Sequence, residues 1–512
     1  MATLKALHAR RVHRIMGDVP LRMGDDLPPS PAEVPPELAP AFQHGSTFQQ
    51  LPPDSPFIRS DKRLARFNLA AWCPVTVPNE LARRLLDFYL HTDHAVLGHF
   101  DSELFIEDLL NNNTDFCSVL LVTSLLLWAC HGYSLIDQRA LMLSTPLFDA
   151  TLRLWQQERD HNSLTTLAAG IFFRLACTVI GNEDIGLSVF ADMYDMVQRL
   201  ELVGTVSDNP EAYTQLDEHE RKWYRARAHA AWGLFNFTTL HSFSYGPPMM
   251  SELPKFMIPG EAYTWPLPDF MGNTFTKLSK LWLILNEVSL AYFADPSGGS
   301  PEHLSIDFAE GQYRRLLEWA DMNGPLIEQW DRDSRHQSYI QVIFHTCVLE
   351  LFRPFLDTNL PLKTFQWQQC TPRAIYSAST RQLHYQLLMF PIIHPSADFI
   401  WWWYGVCQIA NAAITTLEKP DSQWIFLLCL VCFHDLAVCF PVMGDVLAGL
   451  LRIATRRKFL HRRDAHVLYE RLRENRRMLT RQDQKGVGFS IDLSMSERGS
   501  EIASVSQLAK AS

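Results

Sequence analysis

The sequence lacks the short motifs through which many enzymes hold phosphates, nucleotides, acyl groups or zinc. No glycine-rich loop closes on Lys-Ser or Lys-Thr and no Gly-x-Gly-x-x-Gly occurs, so neither backbone cradle for phosphate is present. There is no Gly-x-Ser-x-Gly nucleophile elbow and no His-Glu-x-x-His zinc helix. The one adjacent aspartate pair, Asp25-Asp26, runs into Leu-Pro-Pro, which offers no helix on which carboxylates could gather magnesium. Cysteine is missing ahead of Cys73, and Met1–Arg14 is polar and basic with no apolar stretch behind it, which is not a signal-peptide pattern. A basic excess is also missing. The net charge is −10, so the chain has no global electrostatic footprint for nucleic acid.

What is there is apolar and aromatic. Hydrophobic residues make up 47% of 512 residues, with 14 Trp and 31 Phe, enough for a substantial core. The ten cysteines are scattered and mostly sit in apolar runs, which predicts reduced, buried thiols in an intracellular protein. Cys117–Ile136 is an uncharged run, and Phe399–Leu417 and Ser422–Leu451 are also strongly apolar. None has the flanking charge asymmetry of a membrane span, so buried helices and no membrane are expected.

Periodicity predicts an all-α protein: one large helical domain over 61–485, with a disordered Pro-rich arm at 1–60 and a disordered Ser-rich tail at 486–512. Helices are expected over Pro78–His91, over Ser102–Leu110 behind an Asp101 cap, and from Cys117 behind Asp115. Thr145-Pro146 reads as a start signal. Ser163–Ile180 and Ile185–Leu202 form a pair, and Asp217 opens another helix. Six prolines between Gly246 and Pro268 predict an irregular crossover. Thr371-Pro372 starts a helix that Pro391 and Pro395 punctuate.

Tyr339–Leu356 is the most informative stretch. Ile340, Ile343, Phe344, Cys347, Val348, Leu351 and Phe352 fall on one helical face, and Pro354 stops it. His345 beside that face and Arg353 at its end are candidate pocket residues, though a hydrogen-bonded histidine and a helix-end arginine are the simpler account. Cys429, Cys432, His434 and Cys439 do not converge as metal ligands if they share one helix. His434 and Asp435 should point about 100° apart. Trp401–Trp403 should fill space between helices. No catalytic, cofactor or metal residues are assigned. From Arg452 to Lys485 twelve basic residues face four acidic ones. Arg456, Arg457, Lys458, Arg462 and Arg463 are therefore candidates for a nuclear-import signal or for phosphate contacts.

Tyr339-x5-His345 followed by Leu351-Phe352-Arg353-Pro354-Phe355-Leu356 resembles the Tyr-His … Leu-His-Arg-Pro-Phe-Leu segment of fungal-specific transcription factor domains, the helical middle homology region of zinc-cluster regulators. Leu86-Asp87-Phe88-Tyr89 through Phe100 and Phe105-Ile106-Glu107-Asp108 resemble that family's entry and acidic helices. Phe116-Cys117-Ser118-Val119-Leu120-Leu121-Val122 is similar to a run in its nitrogen-assimilation-type subgroup. Ala231-Trp232-Gly233-Leu234-Phe235, Tyr245-Gly246-Pro247-Pro248 and Pro259 resemble its Trp-Gly-x-Phe helix and crossover, and Cys370 fits as well. The shared order covers about Arg63 to Arg477.

The resemblance implies a nuclear regulator of a fungal pathway, with control of a secondary-metabolite gene cluster as one setting. Nothing in the residues selects that setting over nitrogen or carbon control. It implies contacts with transcription machinery, homo- or heterodimer formation, and no catalysis. The family's six-cysteine zinc cluster has no counterpart before Cys73, so no cofactor is expected. The expectation is then an upstream exon that encodes the cluster, or a DNA-binding partner protein. Glu350-Leu351-Phe352 stands where the family often has Leu-Leu-His. The alternative is a ligand-binding protein or enzyme on a helical scaffold without a recognisable motif.

Overall fold

Side-chain caps decide where many of the helices begin. The computed structural model describes residues 61–205, 210–245, 250–262, 264–292, 304–323, 335–357, 362–363, 370–393, 401–414, 417–437, 439–477, 490–491 and 503–504. Among these the chain is all-α, with 17 α-helices. Two 3₁₀ turns, Lys62–Arg66 and Leu69–Ala71, lead into α1 (Asn79–Thr92), α2 (His94–Leu97), α3 (Ser102–Asn111) and α4 (Val119–Tyr133). Then come α5 (Ser144–Glu158), α6 (Leu164–Ile180), α7 (Glu183–Arg199), α8 (Pro210–Gln215), α9 (Glu218–Tyr245) and α10 (Thr274–Tyr292). The rest comprises α11 (Ile306–Met322), α12 (Arg335–Phe352), α13 (Pro372–Ile393), α14 (Trp402–Ile414), α15 (Pro420–Leu436), α16 (Val442–Arg456) and α17 (Arg462–Arg477).

Asp101 accepts from the N–H groups of Glu103 and Leu104, as expected of an N-cap. Asp217 and Glu220 form a reciprocal capping box: the Glu220 N–H donates to Asp217 Oδ1 at 2.8 Å, and the Asp217 N–H to Glu220 Oε2 at 2.9 Å. Other starts differ from expectation. The cap of α4 is Ser118, which accepts from the Leu121 N–H at 3.1 Å; Asp115 lies too far back to reach the first turn. Thr145 does not cap α5. A 3₁₀ turn over Gln138–Leu143, itself capped by Asp137, runs straight into that helix, so its first N–H groups need no separate cap. Pro391 does not end α13, which continues to Ile393; within the last turn proline removes one ladder bond without halting the chain.

The apolar segments are buried by protein. Every residue of α4 from Leu120 to Tyr133 is buried, because α1, α5 and α6 pack around it. Its 15 residues span about 22 Å, and no helix among the described residues is long and apolar enough to cross a membrane. Helices α12 to α16 pack in succession, and α16 returns to α6. His131 of α4 donates from Nδ1 to the Cys439 carbonyl at 3.0 Å, and a ring nitrogen of His336 meets the Thr92 carbonyl at 2.8 Å. One continuous set of buried apolar residues extends from Leu64 to Leu468. All ten cysteines are free, nine of them buried. The Pro-rich arm and most of the Ser-rich tail lie outside the described residues. Four tail residues pair as a short antiparallel ladder, Ser490 opposite Ser504 and Ile491 opposite Ala503.

The deepest charge in this core is Arg174 of α6, which is 0% exposed. Its guanidinium donates to Glu183 at the start of α7 at 2.7 Å and to Thr178 Oγ1 at 2.8 Å. It also donates to His241 Nε2 of α9 at 3.0 Å. Burial first, and the nearby guanidinium second, push the His241 pKa down to about 3, so the ring stays neutral and can accept. A Cβ on Gly186 would stand 2.5 Å from the guanidinium, so that glycine lets α7 approach. Three helices thus meet on one cation. Arg174→Met is expected to lower unfolding free energy by about 3–5 kcal/mol by leaving Glu183 without its partner, with partial recovery in Arg174→Met/Glu183→Gln. Denaturant titration checks both, and a loss below about 1 kcal/mol would show that the pair does not hold the helices together.

Candidate functional site

The two candidates on α12 are taken up by different neighbours. His345 is half-buried, with Nδ1 3.4 Å from the Ser379 hydroxyl of α13, and removal from water lowers its pKa to about 4. Arg353 lies in the 3₁₀ turn Arg353–Phe355 and pairs with Glu350 at 3.4 Å. The end of α12 has a partner that the sequence does not announce. The Tyr292 hydroxyl reaches the Glu350 and Leu351 carbonyls, at 3.1 and 2.9 Å.

Arg456 ends α16, Lys458 adopts a left-handed φ of 58°, and Arg462 and Arg463 begin α17. With the half-buried Arg457, these exposed residues make a cationic corner. Trp401 packs against Trp128 and Tyr339, and Trp402 stacks on Phe390 at 4.0 Å. Cys429, Cys432 and Cys439 are buried, and burial raises the Cys439 thiol to about 12. Among the described residues no group of three or more His, Cys, Asp or Glu could hold a metal ion. His434 and Asp435 do meet, contrary to expectation, with Nδ1 and Oδ1 3.4 Å apart. In the last turn of α15 the two side chains bend toward each other despite the angle between their Cβ directions.

Another cluster draws in more titratable groups than either candidate. Gly98 ends α2 at a φ of +48°, and a Cβ there would fall 2.3 Å from the Phe275 ring, so both its conformation and its space demand glycine. The turn His99-Phe100-Asp101 follows and delivers Asp101 to cap α3. Helix α9 lies across this turn at Gly233, where a Cβ would stand 2.3 Å from His99 Cα. Its His229 donates from Nδ1 to the Gly98 carbonyl at 2.8 Å, which leaves Nε2 3.9 Å from Asp101 Oδ2. Arg225, one turn earlier, binds the same carboxylate at 2.7 Å. On the far side, His94 Nδ1 and the Tyr89 hydroxyl are hydrogen-bonded at 2.9 Å.

His99 is 0% exposed. Its ring sits against Phe172 at 4.5 Å and Phe100 at 5.2 Å, and neither ring nitrogen has a hydrogen-bond partner. Leaving a buried polar atom unmatched costs about 1–3 kcal/mol. Burial, helped by repulsion from His229, lowers the His99 pKa to about 3. Burial likewise lowers His94 and His229. His99 lines a cleft with Phe100, Asp101, Leu104, Phe116, Leu121, Leu164, Thr165, Ala226 and Ala230. Its volume is about 20 Å³, room for one or two waters where each takes about 10–15 Å³.

Sequence reading found the Asp101 cap but not this site, whose histidines are spread from 94 to 229. The one available signal was the row of small residues Ala226, Ala230 and Gly233 at i, i+4 and i+7, which marks a face where α9 can approach closely. No protein-family model matches the chain, and no curated protein matches it.

Two expectations follow from this geometry. Gly233→Ala drives a methyl into the backbone of His99 and is expected to destabilise by about 1–3 kcal/mol. Gly311→Ala, where nothing lies within 4 Å of the new Cβ, is expected to be neutral or to stabilise by up to about 1 kcal/mol. Equal effects by thermal unfolding would contradict the close approach. The second concerns acid. His99 and His241 hold folded pKa values of about 3, and His131 and His345 about 4, against a usual 6.5. Unfolding below pH 6.5 therefore takes up protons, so stability is complete above that pH and falls as pH drops toward 4. Each ring contributes up to about 1.4 kcal/mol per pH unit in that window. The urea midpoint should decline between pH 6.5 and 5, and a flat profile would refute neutral burial.

Proposed function

We propose that the chain is a fungal transcription regulator that works through a helical regulatory domain, by partner, effector or dimer contacts and without catalysis of its own. The observation that carries this reading is that segments resembling the fungal transcription factor domain occur in the family's order and meet one another at structural junctions. Phe116 donates its N–H to Asp108 at 2.6 Å, joining two of them. Trp232 Nε1 donates to the Phe256 carbonyl in the crossover at 2.8 Å, and Gly233 gives α9 its approach to the turn after α2. Tyr339 packs on Trp401, and Pro354 shapes the turn that closes α12.

No cysteine stands before Cys73 in this sequence, so DNA would be reached either through a zinc cluster encoded by an upstream exon or through a DNA-binding partner protein, and the cationic corner would serve nuclear import. A second reading, a ligand-binding helical protein or enzyme outside transcription, is favoured by the small cleft beside the buried His99, whose ring nitrogens have no hydrogen-bond partner.

Two readouts test the proposal. Fused to a heterologous DNA-binding domain, the whole chain is expected to change reporter transcription several-fold. A fluorescent fusion should collect in the nucleus and disperse when Arg456, Arg457, Lys458, Arg462 and Arg463 are all changed to Gln. A silent reporter together with nuclear exclusion of the unmodified chain would overturn the reading. A purified-protein activity lost in His345→Ala, Arg353→Ala or His434→Ala would favour the enzyme.

A further inference from the structure

We propose that the cationic corner between α16 and α17 docks on the phosphate backbone of duplex DNA, without reading its sequence. One turn builds the corner. Helix α16 ends in a Schellman arrangement, with the Lys458 N–H donating to the Thr455 carbonyl at 3.0 Å and the Phe459 N–H to the Ala454 carbonyl at 2.9 Å. Lys458 takes the left-handed conformation at this cap, and α17 starts soon after, at Arg462. Phe459 packs on Phe426 and Leu460 is buried, so the apolar part of the turn faces inward. Arg456, Lys458, Arg462 and Arg463 are left exposed, with Arg457 half-buried beside them. No acidic residue interrupts Arg452–Arg463, and among the described residues no ion pair forms at Lys458, Arg462 or Arg463.

The composition of the corner selects its partner. A protein–protein interface is anchored at its centre by aromatic and aliphatic side chains and is depleted in charge there. A bilayer surface needs apolar side chains that enter it. The exposed members of the corner include neither, and the exposed large apolar residues nearest in sequence are Val467 and Tyr469, farther along α17. A polyanion asks only for cations. Duplex DNA carries one charge per about 1.7 Å of its axis, and guanidinium forks grip phosphate oxygens in bidentate pairs. Phosphate contacts supply affinity and position but no sequence information, so the corner holds the helical domain on DNA beside the cluster or partner that reads the site. The chain as a whole carries −10, and its acidic remainder repels the same backbone, which confines contact to this corner. The choice of DNA as the polyanion rests on the transcriptional reading.

The test titrates the whole protein into two short fluorescein-labelled duplexes of unrelated sequence and follows fluorescence anisotropy across a series of NaCl concentrations. Both duplexes are expected to bind alike, with log K falling against log[salt] at a slope of about −3 to −4, as for roughly four neutralised phosphates. Arg462→Gln/Arg463→Gln should reduce that slope by about 2 and weaken binding about tenfold or more. Both positions are exposed, and thermal unfolding checks that the variant keeps its fold. Arg153→Gln/Arg227→Gln changes the net charge equally at exposed positions on α5 and α9 and should leave affinity and slope unchanged. An equal loss in this second pair would show that net charge alone acts, and would overturn the docking site. Unchanged binding in the corner pair, a strong preference for one duplex, or no binding at low salt would do the same. Tighter binding to single-stranded RNA, or to vesicles of phosphatidylserine and phosphatidylcholine, would overturn the assignment to duplex DNA. A silent reporter with intact duplex binding counts against the transcriptional role alone, and an active reporter without duplex binding counts against this inference alone.

Discussion

Helix α9 can lie against the turn after α2 only because position 233 has no side chain. With a Cβ 2.3 Å from His99 Cα excluded, the two backbones approach more closely than any pair of side chains would allow. That approach brings His229 to the Gly98 carbonyl and Arg225 to Asp101. Farther along the same helix, His241 reaches the guanidinium of Arg174. The core around α4 and α6, the polar cluster and the cleft are therefore consequences of one steric permission. Gly98 adds its counterpart from the other side by turning the chain where Phe275 occupies the space.

Buried polarity follows a consistent logic around this contact. Arg174 keeps its charge because Glu183 and two further acceptors surround it. The histidines nearby give up theirs, since removing an imidazolium from water without a counter-charge is the more costly course. Asp101 serves a helix cap and an ion pair together, so the one carboxylate at the cleft is already engaged. His99 alone has neither charge nor partner, and this makes it chemically different from His94, His131, His229 and His345, each of which meets an oxygen.

Much of the architecture is written locally. The Asp101 cap, the Asp217–Glu220 box, the apolar face of Tyr339–Phe352 and the start at Thr371-Pro372 rest on side chains within four residues of the groups they serve, so spacing alone reveals them. Ser118 and the 3₁₀ lead into α5 were harder, because several adjacent residues compete for the cap and a preceding turn can remove the need for one. The cleft was not legible. Its members come from the turn after α2, from α3, from α4 and the segment leading into it, and from α6 and α9, and a histidine in sequence gives no sign of whether folding will supply a partner. His345 and Arg353 were visible because they punctuate a strong pattern, which is also why folding assigns them to helix contacts.

Trp401 has a property beyond packing. Its indole lies 6.2 Å from Trp128 of α4 and 6.2 Å from Tyr339 of α12, and Trp128 donates its N–H to the Asp93 carboxylate at 2.7 Å. Three chromophores from distant parts of the sequence thus lie close enough to exchange excitation energy at the junction where the C-terminal helices dock. The chain carries its own optical gauge of whether that junction is closed, and no label has to be attached to read it.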